Sequence, residues 1–114
     1  MDGTPASELN PGQIATLERL LKAGFQFTAL AHVARYLPVE KNGFVVLLDP
    51  SGGKLRIFGE VGYRIGEGVG MLVERETGKA FVWKNQSVPA TDELLRAYQN
   101  FRRELGELVR GPAQ

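Results

Sequence analysis

A chain of 114 residues with a formal net charge of +1 has no long-range field to steer a polyanion, so nucleic acid would have to be met by a local patch. With 43% apolar and 24% charged residues the composition is globular, which excludes a chain disordered throughout. The absence of cysteine excludes disulfides and thiolate nucleophiles, one histidine excludes a histidine-cluster metal site, and no apolar run approaches the roughly 20 residues that span a bilayer.

Residues 1–8 are small and polar and carry neither the basic start nor the apolar stretch of a signal peptide. They are expected to be a disordered tail, followed by a single α+β domain over 9–110 and a frayed end at 111–114. The stretch "LNPGQIATLERLLKAG" holds a dense set of helix signals. Asn10 can cap, Pro11 suits the first turn, Gln13 can close a capping box, and Leu9 and Ile14 have the spacing of a hydrophobic staple. A helix over 11–23 follows, with Ile14, Leu17, Leu20 and Leu21 as its apolar stripe and Gly24 as its stop.

"FQFTALAHVARYLPVEK" reads two ways. One is a second helix capped by Thr28; the other is a short helical or irregular turn around 28–33 and a strand over about 34–41, near an edge because of Pro38. The segment "TLERLLKAGFQFTALAHVARYL" also resembles a helix-turn-helix, whose recognition helix would offer Thr28, His32 and Arg35 and no lysine, a poor set for a DNA groove. An ordinary helical hairpin accounts for the same pattern. His32 lies between apolar neighbours, where a partly buried histidine is the simpler reading than a catalytic base.

From Asn42-Gly43 onward the pattern is antiparallel β. "FVVLL" (44–48) is apolar on both faces and needs cover on both. "KLRIFG" (54–59), "MLVER" (71–75) and "KAFVWKN" (79–85) are further strands, with turns at 49–53 and 76–78. Between them lies "GEVGYRIGEGVG", glycine at five of twelve positions. No Lys-Ser/Thr pair follows it, and a hairpin pattern stands where a phosphate-binding helix would begin. Gly66, Gly68 and Gly70, two apart, instead predict a bent or bulged strand whose bare face admits a backbone, an aromatic ring or a helix. A ligand-gating loop is the other reading.

A last helix begins at Thr91, with Asp92 and Glu93 in its first turn, and ends at Gly111-Pro112. Leu94, Tyr98, Phe101, Leu105 and Leu108 form its apolar seam, which suits a sheet-covering helix and equally a coiled coil. The predicted fold is α+β: a curved antiparallel sheet or partial barrel of five to six strands, with an N-terminal helix and a C-terminal amphipathic helix packed on it. Strands followed by such a helix resemble pleckstrin-homology-like barrels, a likeness of fold that carries no inference about lipid. Ile14, Leu17, Leu21, Leu94, Tyr98, Phe101 and Leu105 of the helices and Phe44, Val46, Leu48, Leu55, Ile57, Leu72 and Val82 of the strands are the expected core.

No catalytic constellation assembles from spacing alone. Glu60 and Glu67 flank the glycines and Glu74 and Glu76 sit at a turn, where solvated surface is the ordinary role of glutamate; Asp49 and Asp92 lack EF-hand spacing. The most suggestive cluster is basic and aromatic: Lys54, Arg56, Phe58, Tyr63, Arg64, Lys79, Phe81, Trp83 and Lys84. If its strand faces adjoin and are exposed, it is a stacking-plus-phosphate platform for single-stranded nucleic acid; if not, the aromatics are core. The sequence therefore leads to a non-catalytic cytoplasmic binding module without cofactor or metal. Its partner- or ligand-binding residues would be Arg56, Phe58, Tyr63, Arg64, Trp83 and Lys84. A protein partner or self-association is favoured, no membrane is expected, and nucleic acid is the alternative. A small hydrolase or lyase using Glu60 or Glu67 comes third.

Overall fold

A computed structural model describes residues 9–30 and 35–110. The expectations for the tails at 1–8 and 111–114, for the Gly111-Pro112 stop and for His32 lie outside the described residues. The element order is α1 (Pro11–Lys22), β1 (Gln26–Phe27), β2 (Leu37–Lys41), β3 (Phe44–Asp49), β4 (Arg56–Ile65), β5 (Gly68–Arg75), β6 (Gly78–Trp83), β7 (Gln86–Pro89) and α2 (Asp92–Arg110). All neighbouring strands pair antiparallel in the order β1 to β7, a seven-stranded meander rather than five or six strands, and one that does not close into a barrel. The additional strands are the two short edges, β1 and β7. No helix among the described residues is long and apolar enough to cross a membrane.

Both helices begin where local chemistry directs. The Gln13 N–H donates to Asn10 Oδ1 at 2.8 Å and the Asn10 N–H to Gln13 Oε1 at 3.0 Å, a reciprocal capping box. The Leu94 N–H donates to Thr91 Oγ1 at 3.1 Å, capping α2. The Gln13 amide then donates onward to the carbonyls of Pro50 and Gly52, at 3.0 and 2.9 Å, and is 3% exposed. That anchor sets the rotation of α1. Gln13, Thr16, Leu17 and Leu20 face inward, while Ile14 and Leu21, expected in the core, are 43% and 48% exposed.

Among the described residues no helix lies between α1 and β2. The chain enters β1 at Gln26, residues 28–30 are not helical, and the Thr28 N–H donates to Pro38 O at 3.1 Å instead of Thr28 capping anything. The helix-turn-helix likeness therefore fails in its described part. Pro38 is the second residue of β2, which lies between β1 and β3.

The core lies between the two helices and one sheet face. Phe44 is its centre, with ring centroids 5.1 Å from Tyr63, 5.7 Å from Phe101, 5.9 Å from Tyr98 and 6.1 Å from Phe81. Val46, Leu48, Leu55 and Leu105 are buried with it, whereas Leu72, Val82 and Leu94 are only partly buried. Ile57 pairs with Leu48 on this face, yet it stands at the margin of α2 and is 41% exposed. The sheet bends: β4 comes within 8 Å of β6 and β7, which a flat sheet would hold roughly 10 and 14 Å away.

Candidate functional site

Among the described residues the opposite sheet face carries no helix, and the strand registers assign its residues. Val45 pairs with Gly62, Leu47 with Phe58, Arg64 with Val69, and Met71 with Val82, all of the parity opposite to Phe44, Val46 and Leu48. Between the first two pairs the register slips, so that Val46 alone stands opposite Gly59, Glu60 and Val61. A one-residue bulge would flip every later side chain to the other face. This one inserts two residues, so the alternation survives and Phe58 and Arg64 share a face on either side of it. Gly59, at φ +75°, takes up the bend.

Over this face runs an apolar groove of about 590 Å³, with Val45, Leu47, Phe58, Val69 and Met71 among its lining residues. Val45, on its floor, is 2% exposed, while Phe58 and Met71 are each 44% exposed. Val69 and Met71 lie low because Gly62 beneath them has no side chain; a Cβ there would overlap Val69 and come within 3.1 Å of Met71 Cε. Tyr36 stacks on Phe58 with ring centroids 4.2 Å apart and planes 13° from parallel. Glu60, Glu67 and Lys84 are the charged residues of the lining. Glu60, at the bulge, also lines a second, more polar hollow on the helix side, beside Arg102 and Arg103 of α2.

The glycine-rich stretch is strand: it supplies the end of β4 and the start of β5, with Gly66 in the turn at φ +60°. Gly68 lies directly under the Trp83 indole, and a Cβ on Gly70 would meet Ile65 and the Val82 backbone. An aromatic ring and a neighbouring backbone thus occupy the space those side chains would fill.

The basic-aromatic residues fall on both faces of the sheet. Phe58, Arg56 and Arg64 belong to the open face; Phe81, fully buried, and Tyr63 belong to the core face. Trp83 is half-buried over Gly68, with the Lys84 ammonium 4.7 Å from its ring centroid, and both reach the end of the groove. Arg64 is tied to Glu40 at 3.0 Å and to the Thr28 hydroxyl, and Arg56 stands opposite Asp49. Lys54 and Lys79 are exposed away from the groove. Phe58 borders the groove from the open face, whereas Trp83, of the same parity as Phe81 and packed against the core, reaches its end with Lys84; Phe81, Tyr63 and Lys79 do not border it. Met71 and Val69 escape a search for basic and aromatic residues, and Tyr36, though aromatic, lies in the segment that reads two ways; alternation is the signal for the β5 pair. Leu72 as a core residue places Met71 and Val73 on the other face.

Asp49 accepts from the Ser51 backbone N–H at 2.9 Å, and that bond, with smaller contributions from the Ser51 side chain, Arg56 and Arg35, holds its carboxyl below its ordinary value. Among the described residues no group of three or more His, Cys, Asp or Glu side chains is placed to hold a metal ion. No protein-family model, curated protein or solved structure matches the chain.

Proposed function

We propose that this chain is a cytoplasmic, non-catalytic binding module whose working surface is the groove on the open sheet face. The observation that carries this reading is apolar exposure in one place: Phe58 and Met71, each 44% exposed, flank a groove of about 590 Å³ on a face that no helix among the described residues covers. Contiguous apolar surface of this kind marks interaction sites, and the volume is in the range of binding clefts, roughly 300–1,000 Å³. Of the residues proposed from the sequence, Phe58, Trp83 and Lys84 lie at this surface and Arg56 and Arg64 on the same face. Tyr63 supports it only from the core side.

The test is affinity capture from the source lysate with the wild-type protein and with Met71→Glu, each in nuclease-treated and untreated halves. A protein retained by wild type, insensitive to nuclease and lost with Met71→Glu supports the reading. Retained nucleic acid that vanishes with nuclease would transfer it to the basic side chains, with affinity falling steeply as salt rises. Turnover abolished by Glu60→Gln or Glu67→Gln would overturn the non-catalytic reading, since both carboxylates line the groove.

A further inference from the structure

We infer that the free edge of β4 pairs antiparallel with the same strand of a second copy of this chain, about a two-fold axis at Phe58. This rests on the binding-module reading, because that edge borders the groove, and it names the partner. Three observations lead to it.

The first is where the sheet comes apart. By strand order β4 stands in the middle, yet it pairs with β5 only through Tyr63–Ile65 and Gly68–Gly70. From Arg56 to Val61 no described strand lies on that side, while β3 holds the other. Arg56, Ile57, Phe58, Gly59 and Glu60 are exposed in unbroken succession. Successive residues of a strand point to opposite faces, so an uncovered face would expose every second one. Exposure on both faces marks the lack of a neighbouring strand, and an unpaired strand edge is a template for another chain. The outer edges of the sheet are blunted by comparison: β1 is two residues long, and β7 closes on Pro89, which has no N–H.

The second is the direction of the backbone groups. The Arg64 N–H donates to Gly43 O at 2.8 Å. By antiparallel alternation Val45, Leu47 and Asp49 therefore turn their backbone groups to β4, and their partners Gly62, Phe58 and Arg56 turn theirs to β3. A trans peptide sets each carbonyl opposite the following N–H. Ile57 O and the Gly59 N–H thus both point to the unpaired side.

The third is what that edge carries. Bonding requires outward-facing residues opposite outward-facing residues, so the two-fold axis passes through a residue and not between two. At Phe58 it brings the Gly59 N–H to the partner's Ile57 O, twice by symmetry. The same register sets Arg56 opposite the partner's Glu60, and Phe58 opposite the partner's Phe58 in a non-hydrogen-bonded pair, where side chains approach closest. Glu60 lines the hollows on both faces, near Arg102 and Arg103, and no ion pair among the described residues involves it. Arg56 has Asp49 on its other side and would stand between two carboxylates. Moving the axis to Ile57 sets Arg56 against Phe58; moving it to Gly59 sets Phe58 against Glu60. On the β5 edge, with the axis anywhere from Leu72 to Arg75, Arg75 falls opposite Val69, Met71, Val73 or its own copy and never a carboxylate. Between these two edges, charge and shape are self-complementary on β4 alone, and such an isologous pairing closes at two copies. A strand of this length is small against the roughly 800 Å² per partner of a standard interface, so a reversible dimer is expected.

The test is analytical ultracentrifugation of the whole chain over a range of concentrations. Wild type should pass from monomer to dimer. Arg56→Glu and Glu60→Arg should each raise the dissociation constant at least about tenfold, or about 1.4 kcal/mol. An equimolar mixture of the two should associate as wild type does, because each variant then meets the opposite charge. The chain has no cysteine, so an introduced one reports its own pairing: Phe58→Cys should cross-link under oxidation, and Val73→Cys on the β5 edge should not. Circular dichroism checks that each variant is folded. A monomer at every concentration overturns the inference, while the Met71-dependent capture described above still decides the module; a foreign protein captured by such a monomer assigns the surface to another chain. A mixture no tighter than either single variant, or Val73→Cys cross-linking as readily as Phe58→Cys, overturns the pairing.

Discussion

The two faces of β3 use similar residues to opposite ends. Phe44, Val46 and Leu48 point to the helices and are buried to 1% or less. Val45 and Leu47 point the other way, onto a face where Val45 is buried, Leu47, Val69 and Val82 are partly buried, and Phe58 and Met71 remain 44% exposed. An antiparallel sheet needs only one packed face; the other is ordinarily polar. Apolar side chains beyond that need are available for a function other than folding. The same residue types thus carry stability on one side and, on the proposed reading, recognition on the other.

Substitutions can break or sharpen that contrast. The largest expected effect is Phe81→Ala, which empties a site 0% exposed at the centre of the aromatic cluster and should cost about 3–5 kcal/mol in urea unfolding. Met71→Ala, across the sheet, should stay within about 1 kcal/mol; comparable losses for the two would erase the distinction between the faces. Next is Gly68→Ala. Its Cβ would meet the Trp83 ring, so a loss of about 1–3 kcal/mol is expected together with a red shift of the emission of the sole tryptophan. An unchanged emission maximum would show that Trp83 does not lie over Gly68.

Lys41→Ala should come third, at about 1 kcal/mol. The Lys41 ammonium donates to Ala23 O at 2.7 Å at the end of α1 and to Glu104 at 2.9 Å, but Glu104 is 38% exposed and solvent screens the pair. Its thermal midpoint should converge on that of wild type at high salt in the part owed to Glu104. The smallest effect belongs to Asp49. Its folded carboxyl is held below the ordinary 3.8, so its stabilisation is present above that pH and is lost as pH falls through the folded value. Asp49→Asn should flatten the acid limb of the stability profile slightly and leave neutral pH nearly unchanged.

What could be read from the sequence was what is local. Asn10, Gln13 and Thr91 specify their helix starts within three or four residues, and both helices begin where those residues put them. The Asn42-Gly43 turn likewise joins the strands it was expected to join. The rotation of α1 was hidden because it depends on Gln13 reaching carbonyls 37 and 39 residues away. The strand β7 was hidden because "QSVP" is short, polar and proline-terminated, the composition of a blunted edge. In the candidate site, parity within each strand was legible: Arg56 goes with Phe58, and Lys79 with Phe81. Which strand face adjoins which required the register across the bulge at Gly59–Val61, and only the pairing supplies it. The basic and aromatic residues therefore looked like one cluster while Phe81 and Phe58 stood on opposite sides of a sheet.

The Arg19 guanidinium donates twice, at 3.1 and 3.2 Å, to the carbonyl of Leu108, a residue 89 positions away, and so clasps the first helix to the last. Every strand pairs only with its neighbour in the chain, so the meander can grow hairpin by hairpin with little loop-closure entropy at each step. The clasp requires nearly the whole chain to be in place and forms after the hairpins. Interactions absent from the transition state set the rate of escape from the native state rather than the rate of arrival. Arg19→Ala should accordingly speed unfolding while leaving refolding nearly unchanged, which makes this arginine a lifetime residue: it governs how long each folded molecule keeps its open face in position.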